Sequence, residues 1–63
     1  MKLNDVVVGK TYHWDGTDGE GILLDCECPD VKATELDDEA IEIEDRYEFF
    51  WYVSAAALSE IDQ

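Results

Sequence analysis

The chain has 63 residues, with 17 acidic residues against four basic ones, and its formal net charge is −13. A chain of this length forms one domain, residues 1–63, and buries only roughly 60% of the surface of its unfolded form, which leaves little room for a deep catalytic cleft. Nucleic acid and anionic membranes both attract clusters of Lys and Arg, so the charge argues against either as a direct partner. We therefore expect a non-enzymatic acidic domain, without a cofactor, that binds a basic protein surface.

The composition favours a folded, intracellular protein over a disordered acidic tail. Hydrophobic residues make up 46% of the chain, and two Trp, three Tyr and two Phe are present. The N-terminus lacks the basic-then-apolar pattern of a signal peptide, and the apolar run at residues 49–58 is too short to cross a bilayer. Cys26 and Cys28 are too close in sequence for an unstrained bridge and predict a reduced pair. These features indicate the cytoplasm.

The first half of the chain predicts two strands joined by a glycine turn. Residues 5–14 are rich in strand formers and end in the alternating pair Tyr12 and Trp14. Three of the four glycines fall in residues 15–21, which predicts a hairpin connection. Apolar or thiol side chains then occupy every second position from Ile22 to Cys28, so we expect a half-buried strand over residues 22–28.

The second half predicts further strands and one helical turn. Residues 40–44 alternate cleanly with Ile41 and Ile43 inward, and residues 48–53 form the strongest strand pattern. Ser54 is a suitable N-cap for a helical turn over residues 55–58.

An alternative for the middle of the chain is a helix. Leu36, Ala40 and Ile43 fall at helical spacing, so a helix within residues 33–45 would give an α+β fold instead of a mainly β one.

Four or five short antiparallel strands, with a short helical turn near the C-terminus, resemble a small SH3-like β-barrel. Residues 51–61, Trp-Tyr-Val-Ser-Ala-Ala-Ala-Leu-Ser-Glu-Ile, carry most of this resemblance. The Ala-Leu-Tyr-Asp-Tyr signature of peptide-binding SH3 domains is absent from the sequence, so the resemblance does not imply recognition of proline-rich peptides. In size and charge the chain is also similar to small acidic proteins of bacteriophage, among them inhibitors that imitate DNA.

The acidic residues concentrate between positions 35 and 48, where the net charge is −7. The candidate partner-binding residues are Glu35, Asp37, Asp38, Glu39, Glu42, Glu44, Asp45 and Glu48. On a strand, Glu42 and Glu44 would project from one face roughly 6.6 Å apart, a spacing similar to that of successive phosphates in nucleic acid. The cluster therefore predicts occupation of the basic site of a nucleic-acid-binding protein. The alternative is a solvated face that keeps a small protein soluble.

The aromatic run near the C-terminus supports a second hypothesis. Phe49 and Trp51 share one face of a strand while Phe50 and Tyr52 share the other, so one pair is expected to be exposed. The candidate aromatic contacts are Trp14, Phe50 and Tyr52. In this interpretation, aromatics including Tyr12, Trp14, Trp51 and Tyr52 hold a peptide or a second copy of the chain. The alternative is that both faces of the strand are covered within the core.

Neither a metal site nor a catalytic site is predicted. The loop from Asp15 to Glu20 is acidic and glycine-rich, but its spacing does not match a calcium-binding EF-hand. His13, Cys26 and Cys28 supply at most three soft ligands, whereas a structural zinc site needs four. His13, oriented by Asp15, is the single candidate general base that could activate a nucleophile. A histidine between two aromatic residues is, however, typical of an ordinary strand.

Overall fold

The computed structural model describes residues 1–27 and 30–61, and it shows a mainly β protein. Its described strands are β1 (Thr11–Trp14), β2 (Asp30–Leu36), β3 (Ile41–Glu44), β4 (Phe50–Val53) and β5 (Leu58–Ser59). The helical content of the described residues is limited to two 3₁₀ turns, Leu3–Asp5 and Ala55–Ala57. None of these helices is long and apolar enough to cross a membrane.

The five strands form one antiparallel sheet in the order β4-β3-β2-β1-β5. The first four strands follow one another as a meander. After the 3₁₀ turn at Ala55–Ala57, the chain returns to place β5 on the other side of β1. The sheet is therefore open, with β4 at one edge and β5 at the other. The predicted mainly β class, the five antiparallel strands and the short helical turn near the C-terminus are confirmed.

The core lies on one face of this sheet because each strand buries every second side chain. Tyr12 and Trp14 of β1, with Ile41 and Ile43 of β3, are fully buried. The Trp14 ring packs against that of Trp51, with 5.6 Å between the ring centroids. The polar ends of the buried rings are satisfied, since Trp14 Nε1 donates to the Thr17 carbonyl at 2.8 Å and the Tyr12 hydroxyl accepts from the Val7 amide at 2.8 Å.

The cap predicted at the C-terminal turn is also present. Ser54 Oγ accepts a hydrogen bond from the Ala56 amide at 3.4 Å, and Ala55 and Ala57 are buried. Ser54 thus ends β4 and turns the chain back toward β1.

The predicted strand over residues 22–28 is wrong for its described part, residues 22–27; Cys28 lies outside the described residues. Ile22 and Leu23 are each 62% exposed, and the segment contributes an isolated bridge between Thr17 and Leu23 instead of a strand. The physical reason is competition for β1, whose two sides pair with β2 and β5. The glycine turn consequently begins a long connection from β1 to its antiparallel neighbour β2, and it does not lead directly into a partner strand at Ile22.

The first predicted strand is shorter than expected, because residues 3–5 form a 3₁₀ turn and β1 begins only at Thr11. The alternative of a helix within residues 33–45 is wrong. That region contains most of β2, the turn after it and β3. Ile41 and Ile43 are both fully buried, which requires the two-residue period of a strand.

Candidate functional site

The outer face of β3 and β4 combines carboxylates with exposed aromatic rings. Burial of Ile41 and Ile43 turns Glu42 and Glu44 outward. In the antiparallel register, Glu42 lies opposite Tyr52 and Glu44 lies opposite Phe50. The Phe50 and Tyr52 side chains are 57% and 64% exposed. The alternation of β3 and β4 thus places two acid–aromatic pairs side by side.

A shallow groove on this face is lined by Glu35, Asp37, Glu42 and Tyr52. The pairing of β2 with β3 shifts between Ala33 and Glu35, so Thr34 and Glu35 together face Glu42. This β-bulge brings a hydroxyl and a second carboxylate to the same position along β3.

The Glu42 carboxylate is oriented by two hydroxyl donors. The Thr34 hydroxyl donates to Oε1 at 2.8 Å, and the Tyr52 hydroxyl donates to Oε2 at 2.9 Å. The Thr34 hydroxyl also lies 3.1 Å from the Glu42 carbonyl oxygen. Neutral donors hold the carboxylate in place without cancelling its charge, so it remains able to attract an external cation.

The pKa of Tyr52 reflects the negative charge in the groove. Its pKa is raised above the ordinary value, first by the hydrogen bond to Glu42 and then by the negative charge of Glu42, with smaller effects of burial and of Glu35 and Asp37. Five separate influences thus oppose a negative charge on this phenol. The groove is therefore a region of negative potential.

The ion pairs recorded within residues 1–27 and 30–61 lie away from the groove. They are Lys10–Glu60 and Arg46–Glu27, and His13 Nδ1 lies 3.8 Å from Asp30 Oδ1. None of the carboxylates that line the groove takes part in them. Within the described residues, the groove carboxylates are thus not neutralised by an ion pair with a basic side chain.

Asp45 requires a correction, because it is not part of the accessible acidic surface. Its side chain is only 5% exposed. Oδ1 accepts from the backbone amides of Tyr47 and Phe49 at 2.8 and 3.0 Å, and Oδ2 accepts from Trp51 Nε1 at 3.0 Å. Burial alone would raise the pKa of this carboxyl, but the hydrogen bonds from Trp51, Phe49 and Tyr47 lower it overall. Asp45 therefore fixes the turn between β3 and β4.

The other predicted acids are divided between the two ends of β3. Asp37, Asp38 and Glu39 are exposed at the turn before β3. Glu48 is exposed in the turn after β3, where its φ of 68° is in the left-handed region. The structure brings Glu35, Asp37 and Glu42 together, whereas Glu48 belongs to the opposite end of the hairpin.

Trp14 requires a second correction, because a fully buried ring is not accessible to a partner. Tyr12 is likewise fully buried, and Trp51 is half-buried beside Trp14. The predicted exposure of one aromatic pair is confirmed for Phe50 and Tyr52. Phe49, at the end of the turn, is exposed as well.

A polar cluster that the sequence did not predict connects the turn between β3 and β4 to the loop before β2. Arg46 donates to Glu27 at 2.8 Å and to the Tyr47 hydroxyl at 2.9 Å, and the Tyr47 hydroxyl donates to Glu27 at 2.9 Å. The Tyr47 hydrogen bond, followed by that of Arg46, lowers the pKa of Glu27. Residues separated by about twenty positions meet here, and the local pattern of the sequence contains no signal for such a contact.

The glycine-rich loop uses its carboxylates to shape its own backbone. Asp15 Oδ1 accepts from the Thr17 amide at 2.8 Å and from the Thr17 hydroxyl at 2.7 Å. Asp18 Oδ1 accepts from the amides of Glu20 and Ile22 at 2.8 and 3.2 Å. Throughout the described ranges, no three or more His, Cys, Asp or Glu residues are grouped so as to hold a metal ion.

Comparison with protein-family models, with curated proteins and with solved structures finds no match to this chain.

Proposed function

We propose that this protein is a non-enzymatic inhibitor or regulator that occupies the basic site of a nucleic-acid-handling protein. Its contact surface is the groove of Glu35, Asp37, Glu42 and Tyr52, together with the adjoining Glu44. The resemblance in size and charge to acidic phage inhibitors that imitate DNA extends this proposal to an anti-defence or host-takeover role in the cytoplasm.

The observation that carries the proposal is the grouping of the Glu35, Asp37 and Glu42 carboxylates in one groove, where none of them takes part in an ion pair among the described residues. Glu42 is held by the hydroxyls of Thr34 and Tyr52, so its position is fixed before a partner arrives. Preorganised groups lose less conformational freedom on binding. A net charge of −13 also steers encounters with a basic surface over a longer distance than the groove alone.

A second candidate is an interaction module that holds a peptide or a second copy of the chain. The high exposure of Phe50 and Tyr52 favours it, because exposed aromatics are enriched where interfaces concentrate their binding energy. The two candidates differ in ionic-strength dependence. Exposed charges are screened over roughly 8–10 Å at physiological salt, whereas an aromatic contact keeps most of its affinity.

The test is capture of proteins from bacterial lysate on the immobilised full chain, followed by elution with salt or with duplex DNA and identification by mass spectrometry. We expect a basic nucleic-acid-binding protein that both treatments release. The double variant Glu35→Gln/Glu42→Gln should weaken its retention about 10-fold, since each lost exposed charge contact contributes modestly.

The matched control is Asp5→Asn/Glu20→Gln, which removes two exposed charges outside the groove and should leave retention nearly unchanged. Equal losses in both double variants would show that net charge, and not the groove, attracts the partner. A partner that survives high salt and is not displaced by DNA would contradict the proposal and support the aromatic module.

A further inference from the structure

β4 is an edge strand whose open side is flanked by exposed aromatic side chains. In the described chain, β3 pairs with one side of β4 and no strand pairs with the other. The sequence of β4, Phe-Trp-Tyr-Val, contains no charged residue and no proline. Edge strands usually carry such residues to prevent pairing with another chain. This edge therefore lacks the ordinary local protection against strand addition.

The hydrogen-bonding groups on the open side can be assigned from the register. Asp45 donates its amide to the Phe49 carbonyl at 3.0 Å, which makes Asp45 and Phe49 a hydrogen-bonded pair at the turn. Hydrogen-bonded and non-hydrogen-bonded pairs alternate along an antiparallel ladder. The backbone groups of Trp51 consequently point toward β3, and those of Phe50 and Tyr52 point away from it.

Ser54 confirms this assignment and shows that the open side accepts backbone partners. Ser54 is two positions after Tyr52, so its backbone groups point to the same side as those of Phe50 and Tyr52. Its amide donates to the Asp18 carbonyl at 2.8 Å. The loop lies very close here: a Cβ added at Gly19 would be 2.5 Å from the Ser54 Cβ. The glycine loop thus closes the end of the edge and leaves Phe50 and Tyr52 accessible.

We propose that the β4 edge receives an extended basic segment of the partner, which adds as an antiparallel strand beside Phe50 and Tyr52. This inference rests on the proposed function for the basic character of the partner, and it adds the mode of recognition. Strand addition supplies affinity through main-chain hydrogen bonds and specificity through alternate side chains.

Charge decides between a basic segment and a second copy of this chain. Two copies paired edge to edge through β4, around a two-fold axis perpendicular to the sheet, would place both acidic outer faces on the same side of a continuous sheet. Each copy carries a net charge of −13, so this arrangement is repulsive. A basic strand is attracted by the same face.

The register also determines the side-chain pattern of the segment. Residues opposite Phe50 and Tyr52 project over the outer face, where a Lys or Arg stem can cross the Tyr52 ring toward Glu42. Their neighbours project to the opposite face, beside the half-buried Trp51 ring. The segment that fits this edge therefore alternates basic and apolar residues.

The test uses the ¹⁵N-labelled full chain and a short peptide of alternating lysine and valine. In antiparallel addition, the lysine amides point toward β4 and the valine amides point away from it. We expect slower hydrogen exchange at the Phe50 and Tyr52 amides when the peptide is added. Methylation of the lysine backbone nitrogens should weaken binding at least ~10-fold because several backbone hydrogen bonds are lost together. Methylation of the valine nitrogens is the matched control and should have little effect.

Each of the other outcomes contradicts a different part of the proposal. Equal binding of both methylated peptides, without amide protection but with strong salt dependence, would contradict strand addition and still support electrostatic binding to the acidic surface. Protection with the reversed methylation pattern would contradict the antiparallel orientation, and failure of the unmodified peptide to bind would remove the edge site. Protection of Phe50 and Tyr52 in the protein alone, rising with its concentration, would identify a second copy as the occupant. Protection that persists without any salt dependence would retain the edge but contradict the electrostatic function.

Discussion

Glu42 and Asp45 lie three positions apart in the same acidic run, but their carboxylates have different surroundings. Glu42 accepts from two side-chain hydroxyls on the outer face of the sheet and borders the groove. Asp45 is almost fully buried and accepts from two backbone amides and an indole. The contacts of Glu42 hold its charge at the groove, whereas the contacts of Asp45 compensate for a charge that is buried inside the fold.

The comparison shows that an acidic run cannot be interpreted as a uniform surface. Burial of a carboxylate is costly unless hydrogen bonds compensate for it. The turn after β3 supplies two backbone donors to Asp45, and Trp51 of β4 supplies a third. At Glu42 the donors are side-chain hydroxyls, and the residue is half-buried and lines the groove. The difference therefore predicts that Asp45 affects stability and that Glu42 affects the electrostatics of the outer face.

The largest expected effect is on stability at Asp45. The change Asp45→Asn removes a charge and turns an amide donor toward either the backbone amides or Trp51 Nε1. A donor left unsatisfied in a buried site costs about 1–3 kcal/mol, so we expect the free energy of unfolding to fall by that amount. Urea denaturation followed by tryptophan fluorescence would measure it.

The matched control for this change is Asp38→Asn, which removes the same charge from an exposed position in the same run. Its effect should stay within about 0.5 kcal/mol, as is usual for surface substitutions. Equal destabilisation by both changes would contradict the structural role of Asp45 and indicate a general effect of charge.

A second prediction concerns the pH dependence of that difference in stability. Burial tends to raise the Asp45 pKa, but the hydrogen bonds from Trp51, Phe49 and Tyr47 lower it below the ordinary value of 3.8. The ionised carboxylate therefore stabilises the fold fully above pH 3.8, and this contribution is lost as the pH falls through the lower, folded-state pKa. The stability gap between the natural chain and Asp45→Asn should shrink below pH 3.8.

The prediction concerns the difference in stability between the two proteins because all the other carboxylates also gain protons in this pH range. Near the sequence pI of about 4.1 the repulsion within both proteins decreases together. Thermal unfolding of the two proteins over a pH series isolates the contribution of Asp45. A gap that is constant or grows toward low pH would contradict the lowered pKa.

Patterns of period two predicted the parts of the fold in which local alternation and tertiary pairing agree. Ile41 and Ile43 are buried as expected, and Phe50 and Tyr52 are exposed as expected. The segment that begins at Ile22 has a similar alternation, but its described residues form only the isolated bridge between Leu23 and Thr17, because β2 and β5 occupy both sides of β1. Periodicity reports which side chains could share a face, and it does not report which strands compete for the same edge.

The candidate site was predictable in composition but not in arrangement. The acidic run identified Glu35, Asp37 and Glu42, whereas the bulge that sets Thr34 beside Glu42 depends on the register of two strands. The burial of Asp45 follows from donors that exist only once the turn has formed. Charge counts contain neither register nor turn geometry, so they could not separate these carboxylates.

The smallest expected effect is a change in the titration of Tyr52, and it tests the groove directly. The Tyr52 pKa lies above its ordinary value of 10.0, chiefly because the hydroxyl donates to Glu42 and because the Glu42 charge opposes the phenolate. Glu42→Gln removes that charge and should bring the Tyr52 pKa back toward 10.0, without fully reaching it, since Glu35 and Asp37 also oppose the phenolate. An NMR titration of the tyrosine ring signals would measure the shift, with Asp38→Asn as the control of equal charge. If both changes lowered the pKa equally, Tyr52 would be reporting the net charge of the protein. A decrease confined to Glu42→Gln would instead show that a single oriented carboxylate controls the potential of the groove, in contrast to the carboxylate of Asp45, which acts on the fold.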